Sequence, residues 1–284
     1  MKTRLFAIAA LMLLVCAWSP AHAASRAPAA QPLTIGDTFT LESKALGETR
    51  RINVWRPAAG AAKPDAPLPV LYLLDGGIGE DFLHVAGLMQ VSIANGTMRP
   101  FLLVGIENTQ RRRDMTPATD VAEDRAIAPV VGGAVPFRAF LRDELKPEIA
   151  RRYRVDGESA LVGESLAGLF VLDTLVAEPA LFDDWIAIDP AVWWNDKALL
   201  KGLRTFLKAH PDLRGRLLVA ASGEPTIASL TVWLPSILQD DAPKGLAWRY
   251  LPLPDETHGT VFHPAALRLF RALSEPLPPP PTPP

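Results

Sequence analysis

Two continuous apolar runs, Val70-Leu71-Tyr72-Leu73-Leu74 and Phe101-Leu102-Leu103-Val104-Gly105-Ile106, constrain the fold of this chain more than any other feature. Neither alternates apolar with polar residues, so each reads as a strand buried on both faces. Between them residues 80–93 carry helical spacing, and the rhythm then repeats. Helices are expected over residues 135–153, 166–177, 197–209, 227–238 and 264–273, separated by strands at 159–162, 185–188, 216–221 and 247–253. Residues 33–41 and 49–55, on either side of a turn at Gly47, read as an antiparallel entrance to the sheet. Alternation of this kind predicts an α/β fold with a mostly parallel central sheet and helices on both faces. Sites in such sheets form beyond the carboxyl ends of the strands.

At one such end lies Gly163-Glu164-Ser165-Leu166-Ala167-Gly168, between the apolar run Ala160-Leu161-Val162 and the helical stretch that opens Leu169-Phe170-Val171-Leu172. A serine wedged between strand and helix, with small neighbours on both sides, is the pattern of a nucleophile elbow, although Ala167 stands where glycine is commoner. The turn exposes the Ser165 hydroxyl over a helix N-terminus. There the Leu166 N–H is a candidate donor to an oxyanion.

A serine hydroxyl needs a base to take its proton. His258 is the first candidate, in the polar loop Pro254-Asp255-Glu256-Thr257-His258-Gly259 between the last core strand and the last helix, with His263 as the runner-up. His84 and His210 fall in or beside predicted helices and read as structural. For the acid that orients the imidazole, Glu224 is the first choice, because it follows the strand Leu217-Leu218-Val219-Ala220-Ala221 through Ser222-Gly223. Asp189, Asp255 and Glu256 remain alternatives. Gly77 and Ile78, after the third strand, are expected to supply further oxyanion amides. Trp193 and Trp194, after Asp189-Pro190, are expected to wall a substrate pocket.

The N-terminus carries Lys2 and Arg4, an apolar run to Trp18, then Pro20 and Ala21-His22-Ala23. This reads as a secretory signal peptide, residues 1–23, cleaved after Ala23 and directing the protein to the periplasm or outside the cell. The apolar run is shorter than the ~20 residues a membrane span requires, so no stable membrane insertion is expected. The only cysteine, Cys16, would leave with the signal, which excludes disulfides, thiolate metal sites and cysteine nucleophiles from the mature chain. Loss of Lys2 and Arg4 takes the formal charge from −2 to −4, a mild acidity that argues against nucleic-acid partners. The cluster Arg111-Arg112-Arg113 reads as a solvated loop. Residues 24–32 read as a linker, 33–275 as one large domain and the proline-rich residues 276–284 as a disordered tail.

With these residues in order, the chain resembles the α/β-hydrolase superfamily, and within it the esterase group that includes esterase D and the enterobactin esterase-like hydrolases. The likeness runs through Arg51-Ile52-Asn53-Val54-Trp55-Arg56-Pro57, Tyr72-Leu73-Leu74-Asp75-Gly76, Val104-Gly105-Ile106-Glu107-Asn108 with Arg113-Asp114, the elbow, Asp189-Pro190 with Trp193-Trp194, and His258. The resemblance implies hydrolysis of a small-molecule carboxylic ester through an acyl-enzyme on Ser165, with His258 as base and Arg113 contributing to substrate binding, and with no cofactor or metal. Catecholate siderophore esters are compatible substrates. Many of these relatives carry histidine where this chain has Glu164. An acyltransferase of the same fold and a non-catalytic binding module are the competing functions.

Overall fold

The computed structural model describes residues 30–58 and 66–275. The expected signal peptide, most of the expected linker and the proline-rich tail lie outside these residues. Residues 30–34 are exposed and carry no regular structure. From Ile35 onward, eight strands form one sheet: β1 (Asp37–Ser43), β2 (Glu48–Trp55), β3 (Leu68–Leu73), β4 (Leu102–Ile106), β5 (Val155–Glu164), β6 (Asp184–Ile188), β7 (Gly215–Ser222) and β8 (Leu246–Leu253). Their order is β1-β2-β4-β3-β5-β6-β7-β8. β1 and β2 are antiparallel to their neighbours, and every pairing from β4 to β8 is parallel. This is the α/β-hydrolase fold.

The continuous apolar runs explain the architecture. Side chains alternate across a strand, so Val70 and Tyr72 enter one core cluster while Leu71 and Leu73 enter another. The same division puts Val104 in the first cluster and Leu103 in the second. A strand with only one apolar face could serve only one of these layers. The first layer receives α4 (Ala134–Phe140), α5 (Lys146–Arg152), α6 (Leu166–Ala177), α7 (Trp194–Ala209) and α9 (Trp233–Asp241). The second receives α1 (Phe82–Ala94) and α10 (Phe262–Ala272).

Proline marks two departures from the expected helices. Residues 135–153 are not one regular helix: α4 runs into a π-helical turn, Leu141–Leu145, and then into α5. Pro147 has no N–H to offer the preceding turn, which is where the wider hydrogen-bonding pattern lies. Residues 227–238 divide into α8 (Pro225–Thr231) and α9, because Pro235 cannot donate to the Thr231 carbonyl. Two short helices in the loop after β4, α2 (Arg111–Asp114) and α3 (Ala122–Ile127), are too brief to leave a periodic signal. α7 starts earlier than periodicity indicates, across a kink where Asn195, Asp196 and Lys197 have φ of 49°, 48° and 63°.

The parallel strands deliver the chemistry to one rim. Asp75 follows β3, Ser165 follows β5, Asp189 follows β6, Glu224 lies just beyond β7, and His258 lies on the loop after β8.

Candidate active site

The elbow is built by close approach. β5 ends at Glu164, α6 begins at Leu166, and Ser165 between them has φ 61° and ψ −119°. A non-glycine residue held there stores about 1–3 kcal/mol of backbone strain. Besides the α6 bond from Leu169, two hydrogen bonds tie it to residues 188–191. The Ser165 N–H donates to the Ile188 carbonyl at 3.0 Å, and the Ser165 carbonyl accepts the Ala191 N–H at 3.0 Å. A Cβ on Gly163 would stand 2.7 Å from the Ala167 Cβ, so the bare Gly163 is what makes room for alanine in the motif. A Cβ on Gly168 would meet the Ile188 carbonyl at 3.0 Å and the Pro190 Cα at 3.1 Å. Glycine there lets α6 cross tightly over β6.

Ser165 Oγ lies 3.1 Å from His258 Nε2, and His258 Nδ1 lies 2.7 Å from Asp189 Oδ2. The carboxylate partner of the imidazole is therefore Asp189, one of the open alternatives, and not Glu224. The reason is positional. Asp189 directly follows β6, which pairs with β5, and its φ of 46° turns the chain at the rim beside the elbow. It is fully buried, and Ser222 donates to it from both its N–H (2.6 Å) and its hydroxyl (2.8 Å). Glu224 instead opens α8 and acts on His258 only as a nearby charge. The Asp189 hydrogen bond raises the His258 pKa above its ordinary value, against the opposing effect of burial. The charges of Asp189, Glu164 and Glu224 add to the rise. His263 is not near this group; it stacks on His84, with ring centroids 4.6 Å apart.

The loop after β3 is braced differently from expectation. The Gly77 N–H is already donated to Glu80 Oε2 at 2.7 Å, so it does not face an incoming oxygen. Asn108 Nδ2 donates to Asp75 Oδ1 at 2.6 Å and to Glu80 Oε1 at 2.8 Å, tying this loop to the one after β4. Ile78 follows with its side chain half exposed. Leu166 opens α6, and a first-turn N–H has no intrahelical acceptor.

The arginine that reaches the elbow is Arg111 and not Arg113. Arg111 donates from Nε and Nη2 to the two oxygens of Asp75, at 2.6 and 2.8 Å, and from Nη2 to the Glu164 carbonyl at 3.2 Å. Arg113 is turned away toward β2. It pairs with Glu48 at 2.9 Å and with Asp114 at 2.6 Å, and these partners hold its pKa above the usual arginine value. Asp114 in turn pairs with Arg50 on β2, both fully buried. The cluster is therefore not the solvated loop expected; helical spacing across one turn, with Asp114 following, sends Arg111 and Arg113 to different acids.

Trp194 is a core residue. It is buried, donates from Nε1 to the Pro117 carbonyl at 3.1 Å, and with Leu169 and Leu199 walls a cavity of about 220 Å³ against α7. Trp193 is half-buried against the same cluster, its ring 5.7 Å from that of Trp194.

The fold and the sequence both have known relatives. Residues 43–224 match the model of the family described as "Putative esterase". The chain belongs to that family. It is 31% identical over 188 residues to the ferri-bacillibactin esterase BesA of Bacillus subtilis, covering 59% of this chain and 63% of that protein. It is 32% identical over 201 residues to a siderophore triacetylfusarinine C esterase of Aspergillus fumigatus, covering 64% of each. The matches span less than two thirds of these curated relatives. Among solved structures, an IroE-like serine hydrolase from Shewanella oneidensis superposes with a TM-score of 0.75 at 30% identity, covering 84% of this chain and 79% of that one.

Proposed function

We propose that this family member is a serine esterase that acts outside the cytoplasm, cleaving small carboxylic esters through an acyl-enzyme on Ser165. The observation that carries the reading is the unbroken line from Ser165 Oγ through His258 to Asp189, at 3.1 and 2.7 Å. Ser165 Oγ attacks the ester carbonyl carbon while His258 Nε2 takes the hydroxyl proton. Asp189 accepts Nδ1–H, fixes the tautomer and stabilises the imidazolium. The negative charge moves onto the former carbonyl oxygen, within reach of the Leu166 N–H and the positive end of α6. Collapse expels the alcohol, which leaves with the proton from His258. Water then attacks the acyl carbon, gives its proton to His258, and the serine oxygen departs with that proton to release the acid.

Siderophore esters are the first natural substrates to try, because the named relatives act on them. Export rests on the apolar leader over residues 1–23. The test is hydrolysis of a chain-length series of p-nitrophenyl esters by the wild type, Ser165→Ala and His258→Ala, with fluorophosphonate labelling alongside. The expected result is loss of about 10³-fold or more in both variants and labelling confined to Ser165. Labelling elsewhere, or none on folded protein together with no hydrolysis of any ester, overturns the reading. Product analysis with added alcohols separates hydrolysis from acyl transfer, since a hydrolase releases mainly free acid.

A further inference from the structure

His84 and His263 take no part in the Ser165 group, and they face one another. His84 lies in the first turn of α1 and His263 in the first turn of α10. The two helices share one core layer, in which Val85, Ala86 and Met89 of α1 join the same apolar cluster as Ala265, Ala266 and Leu269 of α10. That packing fixes both backbones and brings the two imidazoles together at the surface. Their rings stack with centroids 4.6 Å apart and planes 22° from parallel. His84 Nε2 is in hydrogen-bond contact with His263 Nδ1. The His84 ring also packs on Phe262, centroids 5.8 Å apart, so its orientation is set by two neighbours. Two imidazole nitrogens that point at each other repel unless something positive stands between them, either the proton of one ring or a metal ion.

We propose that His84 Nε2 and His263 Nδ1 form a bidentate site for a late first-row divalent metal ion, Cu²⁺, Ni²⁺ or Zn²⁺, at the junction of α1 and α10. Neutral imidazole suits these ions and binds them through either ring nitrogen. Metal–nitrogen bonds of about 2.0–2.1 Å put adjacent ligands roughly 3 Å apart, so the rings part slightly to admit the ion. Their position permits this, because His263 is exposed and His84 partly so. Among the described residues no third histidine, cysteine or acid completes the set, so water fills the remaining positions. An open site of this kind follows the intrinsic order of the ions, with Cu²⁺ strongest and Mn²⁺ weak, and hard Mg²⁺ prefers oxygen ligands. The site holds whether or not Ser165 turns over esters, but its place in the fold has a consequence. His263 follows His258 by five positions, and His84 follows by four positions Glu80, whose carboxylate braces the loop after β3. An ion joining the two rings fastens the root of one loop to the root of the other.

The experiment titrates untagged protein with Cu²⁺, Ni²⁺, Zn²⁺, Mn²⁺ and Mg²⁺, read by calorimetry and thermal unfolding. The wild type is compared with His84→Gln, His263→Gln, His210→Gln and His258→Gln, the last two controlling for the other histidines. The expected result is one ion per chain, bound most tightly as Cu²⁺, with no response to Mg²⁺. Tm should rise by about 3–6 °C at an ion concentration about ten times Kd. Binding should weaken by about 10- to 100-fold or more in His84→Gln and in His263→Gln, and persist in the two controls. Electron paramagnetic resonance of the Cu²⁺ form should show two imidazole nitrogens in the wild type and fewer in His84→Gln and His263→Gln. Should His84→Gln fail to fold, His263→Gln at the exposed partner decides alone. No binding of Cu²⁺, Ni²⁺ or Zn²⁺ by folded wild type overturns the proposal, and so does binding that His263→Gln leaves unchanged or that His258→Gln or His210→Gln abolishes.

Discussion

Ser222 seals the carboxylate of Asp189, giving its N–H to one oxygen at 2.6 Å and its hydroxyl to the other at 2.8 Å. Together with His258 Nδ1 this fills the donor requirement of a fully buried acid. An unsatisfied buried carboxylate costs several kcal/mol, and the two Ser222 donors relieve that cost behind the histidine.

Asp189→Asn should therefore lower kcat by about 10³- to 10⁴-fold with the fold intact, because an amide cannot hold the imidazole in the same tautomer. Glu224→Gln should change kcat by less than about tenfold. Steady-state kinetics on the two variants checks the assignment, and the reverse ranking would return the acid role to Glu224.

Activity should rise with pH along an acid limb lying above the ordinary histidine value of 6.5, since Asp189 raises the His258 pKa and only the neutral imidazole can accept the serine proton. Replacing Asp189 by Asn removes the leading cause of that shift, so the limb should move to lower pH in the residual activity. A kcat/KM against pH profile reads both.

Gly163→Ala should be more damaging than Gly168→Ala. The first places a methyl 2.7 Å from the Ala167 Cβ and backbone of a buried helix, while the second brings contacts of 3.0 and 3.1 Å that a small shift relieves. We expect about 3 kcal/mol or more of lost stability, or no soluble protein, for the first and roughly 1–2 kcal/mol for the second. The double substitution Gly163→Ala with Ala167→Gly should recover part of the loss. Chemical denaturation measures all three.

Much of the fold is legible in the sequence, and the rest depends on how distant elements meet. The sequence places α6 over residues 166–177 and it occupies Leu166–Ala177, because β5 and the elbow glycines fix its start. Ser165 and His258, which lie within hydrogen-bond distance, stand out in the sequence because few residues offer their chemistry at strand ends. The acid does not: Asp189 and Glu224 both stand at strand ends, and choosing between them depends on the path of the 254–261 loop, which no local pattern encodes. Asp189 left one signal, a carboxylate directly after an all-apolar strand with a hydroxyl residue, Ser222, at the end of the next. Arg111 and Arg113 were indistinguishable as a run of like charges until α2 aimed them at different acids. The tryptophan pair suggests a pocket wall, and Trp194 does line a cavity with Leu169 and Leu199, while the Pro117 carbonyl that accepts its Nε1–H holds most of the ring in the core.

Arg111→Ala should disturb the elbow from outside, since it removes two hydrogen bonds to Asp75 and one to the Glu164 carbonyl. A fall in kcat/KM of about 10- to 100-fold is expected, with a loss of about 1–3 kcal/mol in stability. Arg111→Lys should restore little, because a point ammonium cannot make the paired contact on Asp75. Arg113→Ala should leave kcat/KM within a few-fold of wild type, and parallel kinetics on the three variants decides between the two arginines.

Ser165 and Asp189 sit just beyond the ends of β5 and β6 and His258 on the loop after β8, 93 positions after the serine. During synthesis the elbow is made long before the loop that carries His258. On the esterase reading, the serine hydroxyl therefore lacks its proton acceptor until that loop is in place. A chain cut short before His258 would carry the nucleophile without the means to activate it.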